Sequence, residues 1–322
     1  MTPLIVINNA AAKAHRAWPT VRRLLEDARV VVDTYETRGR GDATVRVREA
    51  LRAGIETIAV VGGDGTLSEA AEGFFEFDQD LTAPPSTINP FAALAILPAG
   101  TGDDFARGLT GGKRATLERW TNVLISHCQL LGNESTKVID VLHGACNDYR
   151  TRFICLNAST MGIGGETATR VAAQGKLLRG LSGEARFAAA AFVSIARWRE
   201  RRVRVLVDDV ELVDGGMNLA AVANALYAGG GMMLSPQAQF DDGKLDVITA
   251  SGLNRVAVLR ELGRIHKGGH VSNPKVRIAQ GEKARIETFA PEDAMPIEVD
   301  GNVRGFTPVE FRVLPDALRF VV

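Results

Sequence analysis

A strand, a glycine-rich turn and a helix that follow one another without interruption constrain the fold more than any other stretch. Residues 58–61 form a short apolar run with β-branched side chains, which is typical of a strand covered on both faces. The next residues, Gly-Gly-Asp-Gly at 62–65, permit a tight turn and close approach of a ligand to the backbone. A helix is expected to start near Leu67, with Thr66 or Ser68 as its N-cap.

This turn has the chemistry of an anion site, with one exception. Backbone N–H groups at a helix start that follows glycines are available to bind phosphate. Asp64 is the exception, because its carboxylate repels a phosphate unless a cation or a protonated group lies between them. The turn therefore predicts either phosphate together with Mg²⁺, or a base that acts on a substrate hydroxyl. A purely local turn is the alternative, and the stretch matches neither the Walker P-loop nor the Gly-x-Gly-x-x-Gly motif.

The first half of the chain alternates between apolar runs and helix-forming segments. Strands are expected at 4–7, 30–32, 58–61 and 94–97, and helices at 18–27 and 43–53. This alternation predicts a parallel sheet with helices on both faces. A second glycine loop, at 98–107, follows the last of these strands. Because phosphate loops in such sheets lie at the carboxyl ends of strands, the two loops could hold one nucleotide between them.

The second half is rich in strand patterns. Strands are expected at 138–141, 153–156, 203–207, 219–223, 245–248, 276–278, 285–288 and 297–300, and long helices only at 182–199 and 256–263. We therefore predict a β-rich second domain, either a sandwich or an open barrel. The nucleotide-binding α/β domain is expected to span 1–133, with the tail 308–322 returning to it. The β-rich domain is expected to span 134–307.

Composition limits the partners and the compartment. The 322-residue chain has 38 basic and 38 acidic residues, and this balance argues against a nucleic-acid binder. Its three cysteines lack metal-type spacing and indicate buried thiols in a reducing compartment. No apolar stretch reaches the roughly 18 residues of a membrane-spanning helix, and the N-terminus does not resemble a signal peptide. We expect a cytoplasmic protein, at most peripheral to the inner face of the membrane, and leave a homodimer open.

Several motifs occur in a fixed order along the chain. They are Gly-Gly-Asp-Gly-Thr at 62–66, Pro-Ala-Gly-Thr-Gly-Asp-Asp-Phe-Ala-Arg at 98–107, and the stretches 138–141, 157–162 and 223–246. Together they resemble the catalytic region of diacylglycerol kinase-type lipid kinases, a family that includes sphingosine and ceramide kinases. The resemblance covers essentially the whole chain. It implies an α/β domain with a parallel sheet, as in NAD kinases and diacylglycerol kinases, followed by a β-rich sandwich that binds the lipid or other acceptor, with the active-site cleft between the two domains.

The resemblance also implies an activity and a set of site residues. An ATP-dependent kinase of this type transfers the γ-phosphoryl group to a hydroxyl of a diacylglycerol-like or other amphiphilic lipid, in phospholipid metabolism. The implied nucleotide contacts are Thr37, Gly62, Gly63, Asp64, Gly65, Thr66, Leu67, Ser68, Gly100 and Thr101. The family's acidic cluster corresponds to Asp64, Asp104 and Asp140, which would organise Mg²⁺ and water near the γ-phosphate. This fits phosphoryl transfer, which depends mostly on positioning and charge neutralisation.

A second metal site is implied in the β-rich half. The stretch 241–244 resembles the family's structural metal site, with a carboxylate from Asp242 and backbone carbonyls from Gln239 and Lys244. A short oxygen-rich loop suits a hard cation. The alternative is an Asp-Gly hairpin turn, and both interpretations can hold at once.

The chain departs from the family pattern at three places. Relatives usually have Asn-Pro where this chain has Asn8 and Asn9, and Asn-Asp-Phe where it has 103–105. Bacterial relatives usually have Asp-Gly-Glu where this chain has Asp300, Gly301 and Asn302, and that Glu is assigned as the general base. An asparagine cannot take a proton at neutral pH. Either Asp64 or Asp300 then acts as the general base, or the activity is weak or altered. A loose transition state for phosphoryl transfer depends little on a general base, so the loss of the Glu does not by itself exclude activity.

Two other functions remain open at this point. NAD kinases also use Gly-Gly-Asp-Gly-Thr in a similar two-domain protein, although the second loop at 98–107 favours the lipid-kinase branch. A nucleotide-binding sensor or pseudokinase is suggested by Asn302.

One basic cluster could contact a membrane. Residues 197–204 contain five arginines, which fit a solvated helix end or contact with anionic lipid headgroups. The neighbouring stretch 188–196 is apolar enough to line a lipid cleft, with packing in the core as the default expectation.

Overall fold

The computed structural model describes residues 2–114, 116–130, 135–174 and 183–322. The chain forms two compact units, one of Met1–Val141 with Leu314–Val322 and the other of Leu142–Val313. The expected domain limit at 133 and the expected helix start at 182 lie outside the described residues.

The first unit contains a parallel sheet with helices. Its elements are β1 (Leu4–Ile7), α1 (Ala12–Asp27), β2 (Asp33–Glu36), α2 (Asp42–Arg52), β3 (Thr57–Gly62), α3 (Asp64–Glu72), β4 (Phe75–Glu76), β5 (Ser86–Thr87), β6 (Ala93–Pro98), α4 (Asp104–Leu109) and α5 (Leu117–Leu130). The strand order is β2-β1-β3-β6, and every neighbouring pair is parallel. The C-terminal residues Arg319 and Phe320 add a further parallel strand beside β6. This confirms the predicted α/β class, because β1, β3 and β6 are buried along their whole length.

Two local predictions in this unit were wrong. The second strand comprises Asp33–Glu36 rather than the apolar run 30–32. Among the described strands it pairs with β1 alone, at the sheet edge, so burial does not require an apolar sequence there. Helix α3 begins at Asp64 rather than near Leu67, with Gly63 at its N-cap. An acidic residue in the first turn is favourable because the N-terminus of a helix carries partial positive charge.

Within the described residues, the second unit is a β sandwich with three α-helices. Its elements are β7 (Thr136–Cys146, shared with the first unit), β8 (Thr151–Cys155), β9 (Ala158–Gly162), α6 (Ile163–Ala172), α7 (Gly183–Arg197), β10 (Arg201–Val207), β11 (Val210–Met217), β12 (Leu219–Ala223), β13 (Tyr227–Ala228), β14 (Met232–Met233), β15 (Leu245–Ala250), α8 (Arg255–Ile265), β16 (Val276–Gly281), β17 (Lys283–Thr288), β18 (Pro296–Val299), β19 (Asn302–Phe306) and β20 (Val309–Val321, which continues into the first unit). One antiparallel sheet has the order β16-β15-β12-β9-β18-β19, and a second contains β11-β10-β17-β20. Side chains from both sheets, such as Val222, Ile297, Val205 and Phe311, form one buried cluster. The predicted sandwich is therefore confirmed.

Helix α6 was not anticipated from the sequence. Gly164 and Gly165 in its first turn look like helix breakers, but they allow the helix to approach two strands closely. A β-carbon at Gly165 would overlap the carbonyl oxygen of Pro296, and one at Gly164 would lie 2.5 Å from Thr160 Oγ1. Helices α7 and α8 match the two that were predicted. In the part of the chain that the structure describes, no helix is both long and apolar enough to span a bilayer.

Candidate active site

The carboxyl ends of the parallel strands gather the loops that carry the predicted nucleotide contacts. Strands β1, β2, β3 and β6 run in the same direction, so the residues after them lie along one edge of the sheet. Gly62 ends β3, and Gly100 lies just after β6. Thr37 follows β2, and its N–H donates to the carbonyl of Ile7 at the end of β1 (2.9 Å).

The two glycine loops touch through their backbones. A β-carbon at Gly63 would lie 2.9 Å from the Cα of Gly100, and one at Gly100 would lie 2.6 Å from the Cα of Gly63. Real β-carbons do not approach other atoms so closely, so both positions need glycine. The sequence placed these loops at neighbouring strands, and the structure brings them into direct contact.

Asp64 joins the first loop to the second. Its two carboxylate oxygens accept the backbone N–H groups of Asp104 and Phe105, each at 3.0 Å. These N–H groups belong to the first turn of α4, where a carboxylate is favourable because the groups have no partner within the helix. Asp64 is therefore a positioning residue for the second loop, which no local sequence signal indicated.

A second carboxylate, Asp103, lies beside Asp64. Asp103 adopts a left-handed backbone conformation (φ 50°), and its Oδ1 accepts the N–H of Gly100 at 2.8 Å. Burial raises the pKa of Asp103, and the negative charge of Asp64 adds to this effect. This edge of the sheet thus holds like charges that a cation would stabilise.

Several polar groups at this edge were missed by the sequence analysis. Asn8 donates from Nδ2 to Thr66 Oγ1 at 2.7 Å. Lys13, an exposed residue of α1, donates from Nζ to the carbonyl of Gly100 at 3.1 Å, and Arg114 donates to the carbonyl of exposed Thr101 at 3.0 Å. Each partner is distant in sequence, so only the fold reveals that these two cations border the second loop.

A pocket of about 570 Å³ opens beside the ends of β1 and β2. It is lined by Asn9, Ala10, Thr34, Tyr35, Glu36, Thr37 and Arg38. Asp42 closes the turn that follows β2, because its carboxylate accepts hydrogen bonds from the Tyr35 hydroxyl (2.9 Å) and the Arg38 N–H (2.7 Å). The predicted contact Thr37 thus lines a pocket large enough for part of a small organic ligand.

The other predicted residues of this unit differ in accessibility. Gly63, Asp64 and Gly65 are half-buried, whereas Leu67 and Ser68 are fully buried on the inner side of α3. Asp104 and Asp140 are also buried, and Asp140 Oδ1 accepts the N–H of Asp316 at 2.9 Å. Among the described residues, no group of three or more His, Cys, Asp or Glu side chains could hold a metal ion by itself.

In the second unit, Asp300 stabilises a turn. Its buried carboxylate accepts the N–H groups of Leu156 (2.8 Å), Asn157 (2.9 Å) and Ala158 (3.2 Å), between β8 and β9. Asn302 is half-buried and begins β19, directly after the β18–β19 turn that contains Asp300. Asp300 therefore fixes the segment that carries Asn302 against the neighbouring strands.

Glu298 is a titratable group beside this turn that the sequence analysis missed. It accepts the Thr160 hydroxyl at 2.6 Å and also the N–H of Gly301. Burial raises the pKa of Glu298 to about 7, and the nearby carboxylate of Asp300 adds to the shift. The signal available in the sequence was a carboxyl group two positions before Asp300.

The loop with the predicted structural metal forms an Asx-type turn. Asp242 Oδ1 accepts the N–H of Lys244 at 3.0 Å, and Gly243 is left-handed (φ 69°). Asp242 is half-buried, and Gln239 and Lys244 are exposed. The loop is therefore a turn, but the expected hairpin is wrong, because residues 238–240 do not form a strand and β15 pairs with β12 and β16. The metal remains a proposal.

Comparison with known proteins identifies relatives over both units. The family profile "Diacylglycerol kinase catalytic domain" matches residues 3–143, and "YegS C-terminal NAD kinase beta sandwich-like domain" matches residues 160–322. A diacylglycerol kinase of Staphylococcus carnosus is 26% identical over 95% of this chain and 90% of its own length. A "Probable lipid kinase YegS-like" of Stenotrophomonas maltophilia is 30% identical over 81% of this chain and 77% of its own.

Solved structures agree on the fold. A crystal structure of a diacylglycerol kinase from Bacillus anthracis superposes with a TM-score of 0.70 at 21% identity. The match covers 99% of this chain and 96% of the other.

Proposed function

This chain belongs to the diacylglycerol kinase family of lipid kinases, and on that premise we propose that it transfers the γ-phosphoryl group of ATP to a hydroxyl of a diacylglycerol-like or other amphiphilic lipid. The contact between the loops at Gly63 and Gly100 is the observation that carries the nucleotide part of this proposal. Two glycine loops joined at the carboxyl ends of parallel strands form a cradle that suits a chain of phosphates. We further propose that the enzyme works on the inner face of the cytoplasmic membrane, where its substrate resides.

The residues of the first unit receive specific roles. Backbone N–H groups at the start of α3 bind phosphate oxygens, and the pocket at Thr37 holds the nucleoside. The Lys13 ammonium lies at the second loop, where it can neutralise phosphate charge. Asp64 holds the second loop in register with the first through the N–H groups of Asp104 and Phe105.

The acidic residues fit a bound Mg²⁺ that takes most of its ligands from phosphate and water. Asp64, Asp104 and Asp140 would organise it together with water, because Mg²⁺ usually combines one or two carboxylates with substrate oxygens and these three residues do not form a metal site by themselves. The carboxyl groups of Asp64 and Asp103 lie close enough to interact, and a cation would offset their like charge when both are ionised. When bound, Mg²⁺ neutralises charge on the transferring phosphoryl group.

The proton acceptor is assigned to a carboxylate, because Asn302 cannot accept a proton. Asp64 and Asp300 are the two candidates, and both also accept backbone N–H groups. Their substitution will therefore affect folding as well as chemistry, so turnover must be compared with nucleotide affinity.

A transfer assay with matched variants tests the proposal. Purified protein is given ATP, Mg²⁺ and a panel of lipid alcohols, with NAD as a separate acceptor. Asp64→Asn is expected to lower kcat at least about 100-fold, because it disturbs both the loop and the charge at the phosphate. Asp27→Asn, at the exposed end of α1, serves as the control, with kcat within about threefold of wild type.

The outcomes separate the competing functions. Transfer to a lipid alcohol supports the proposal, whereas transfer to NAD alone identifies an NAD kinase. Nucleotide binding without transfer to any acceptor identifies a sensor or pseudokinase, the alternative that Asn302 favours.

A further inference from the structure

Helix α7 exposes an apolar side. The exposed residues recur every three or four positions and therefore share one face of the helix. They are Ala185, Ala188, Ala189, Phe192, Val193 and Ala196. Phe192 is 64% exposed and Val193 39% exposed. The expectation that this stretch packs in the core is wrong for this face.

The opposite side of α7 packs together with α8. Ile195 of α7 and Val258 of α8 are buried in one apolar cluster with Leu253. The outer sides of both helices therefore face away from that cluster. On α8 the outer side exposes Val256 (76%) and Leu259 (45%). We call the outward surfaces of these two helices the α7–α8 face.

Several exposed cations lie on or directly after the same two helices. Arg197 ends α7 and is exposed, as are Arg255 and Arg260 on α8 and Lys267 just after it. Glu261 is the only acidic residue among the described side chains of the two helices. It is 7% exposed, and its Oε1 lies 3.2 Å from Nη1 of Arg264. The surface presented by the α7–α8 face is thus apolar and positively charged, although the whole chain has no net charge.

We propose that the α7–α8 face docks on the surface of a bilayer that contains anionic lipid. The inference rests on the proposed function, since a kinase of membrane lipids must reach its substrate at a bilayer. Helices with exposed aromatic and aliphatic side chains and with flanking Arg and Lys bind at the lipid headgroup boundary. Phe192, Val193, Val256 and Leu259 enter the boundary region, and the cations contact lipid phosphates.

A second copy of the chain is a poorer partner for this face. A two-fold contact places the same surface on both sides of the interface. The arginines of α7 and α8 would then lie opposite arginines, and like charges at an interface are unfavourable. An anionic bilayer instead complements the charge and accepts the apolar groups.

Vesicle sedimentation without ATP tests the proposal independently of phosphoryl transfer. We expect wild type to bind phosphatidylglycerol-containing vesicles at least about tenfold more tightly than pure phosphatidylcholine vesicles. Phe192→Glu is expected to weaken this binding at least about tenfold, and Arg260→Glu at least about fivefold. Val31→Glu, at a site that is 74% exposed in the first unit, is the control and should bind like wild type.

Each outcome of these experiments either supports or overturns docking of the α7–α8 face on a bilayer. Circular dichroism and thermal unfolding identify any variant that does not fold, in which case Leu259→Glu replaces Phe192→Glu. Vesicle binding that is absent, independent of lipid charge or unchanged by Phe192→Glu would overturn the docking face. Dimerisation through the face, detected by sedimentation equilibrium and abolished by Phe192→Glu, would overturn it in favour of self-association. Transfer to a water-dispersed short-chain diacylglycerol, measured in parallel, reports the proposed function even if docking fails.

Discussion

Gly63 and Gly100 approach each other so closely that neither position has room for a β-carbon. One glycine follows β3 and the other follows β6, so this contact fixes the spacing of the two loops for which we propose phosphate binding. We infer that the loops act as one cradle, because neither can move far without the other.

Alanine at either glycine is expected to separate the loops. Gly63→Ala and Gly100→Ala should each lower the free energy of unfolding by about 1–3 kcal/mol and weaken ATP binding at least about tenfold. Gly263→Ala is the control, because a β-carbon there meets open space within α8 and should be neutral or slightly stabilising. Denaturant unfolding and calorimetric titration with ATP measure both effects. Wild-type affinity in both loop variants would contradict the shared cradle.

Glu298 should make stability depend on pH. Burial raises its pKa in the folded protein to about 7, from 4.5 for an unperturbed glutamate. Between these values the folded protein holds a proton that the unfolded chain has released, so stability falls as the pH rises. The loss of stability caused by ionising Glu298 is fully present above pH 7 and absent below pH 4.5.

Glu298→Gln removes that titration. The variant should exceed wild type in free energy of unfolding by about 1–3 kcal/mol at pH 8, and the two should converge towards pH 4.5. Denaturant melts across this range measure the difference, with the exposed Glu292→Gln as a control that follows wild type. Parallel curves for Glu298→Gln and wild type would show that Glu298 is not perturbed.

Asp300 should be a major source of stability in the second unit. Its removal leaves the N–H groups of 156–158 without their shared acceptor. We expect Asp300→Ala to lower the free energy of unfolding by about 2–4 kcal/mol, and Asp300→Asn to lower it less. Asp27→Ala, at an exposed helix end, should change it by less than about 0.5 kcal/mol. A loss for Asp300→Ala no larger than for Asp27→Ala would contradict this role.

Substitution of Asp242 tests whether its loop is a turn alone or a turn that also binds a metal ion. Asparagine can also accept the Lys244 N–H, so Asp242→Asn should leave the melting temperature in EDTA unchanged. If the loop binds Mg²⁺, addition of Mg²⁺ without nucleotide should raise the melting temperature of wild type and not of Asp242→Asn. Asp64→Asn, in the other unit, should still show the rise in melting temperature when Mg²⁺ is added. Equal responses of wild type and Asp242→Asn to Mg²⁺ would remove the metal from this loop.

The sequence predicted the features that depend on continuous burial. β3 and β6 are buried on both faces, so their apolar runs and following glycine loops were recognisable. The edge strand β2 was misplaced, because its side chains are mostly exposed and its pairing with β1 does not depend on their polarity. Helix α6 was missed because its glycines serve contacts with distant strands.

The parts of the site that depend on long-range contacts were not predictable. Asp64 was identified as unusual, but its hydrogen bonds to the start of α4 join residues that are 40 positions apart. Lys13 and Gly100 are separated by 87 positions. The near-neutral pKa of Glu298 arises from burial, and the sequence of a single strand does not specify how deeply a side chain is buried in the folded protein. Local patterns therefore located the loops, and tertiary packing determined the environment of their charged groups.

The most direct test follows the γ-phosphate itself. ATP labelled on the γ-phosphate is incubated with the enzyme, Mg²⁺ and a dispersed diacylglycerol-like alcohol, and the label in the organic extract is measured. We predict label in a phosphorylated lipid with wild type, and at least about 100-fold less per unit time with Asp64→Asn. Label that stays in ATP, appears only as inorganic phosphate or passes to NAD would contradict the assignment as a lipid kinase.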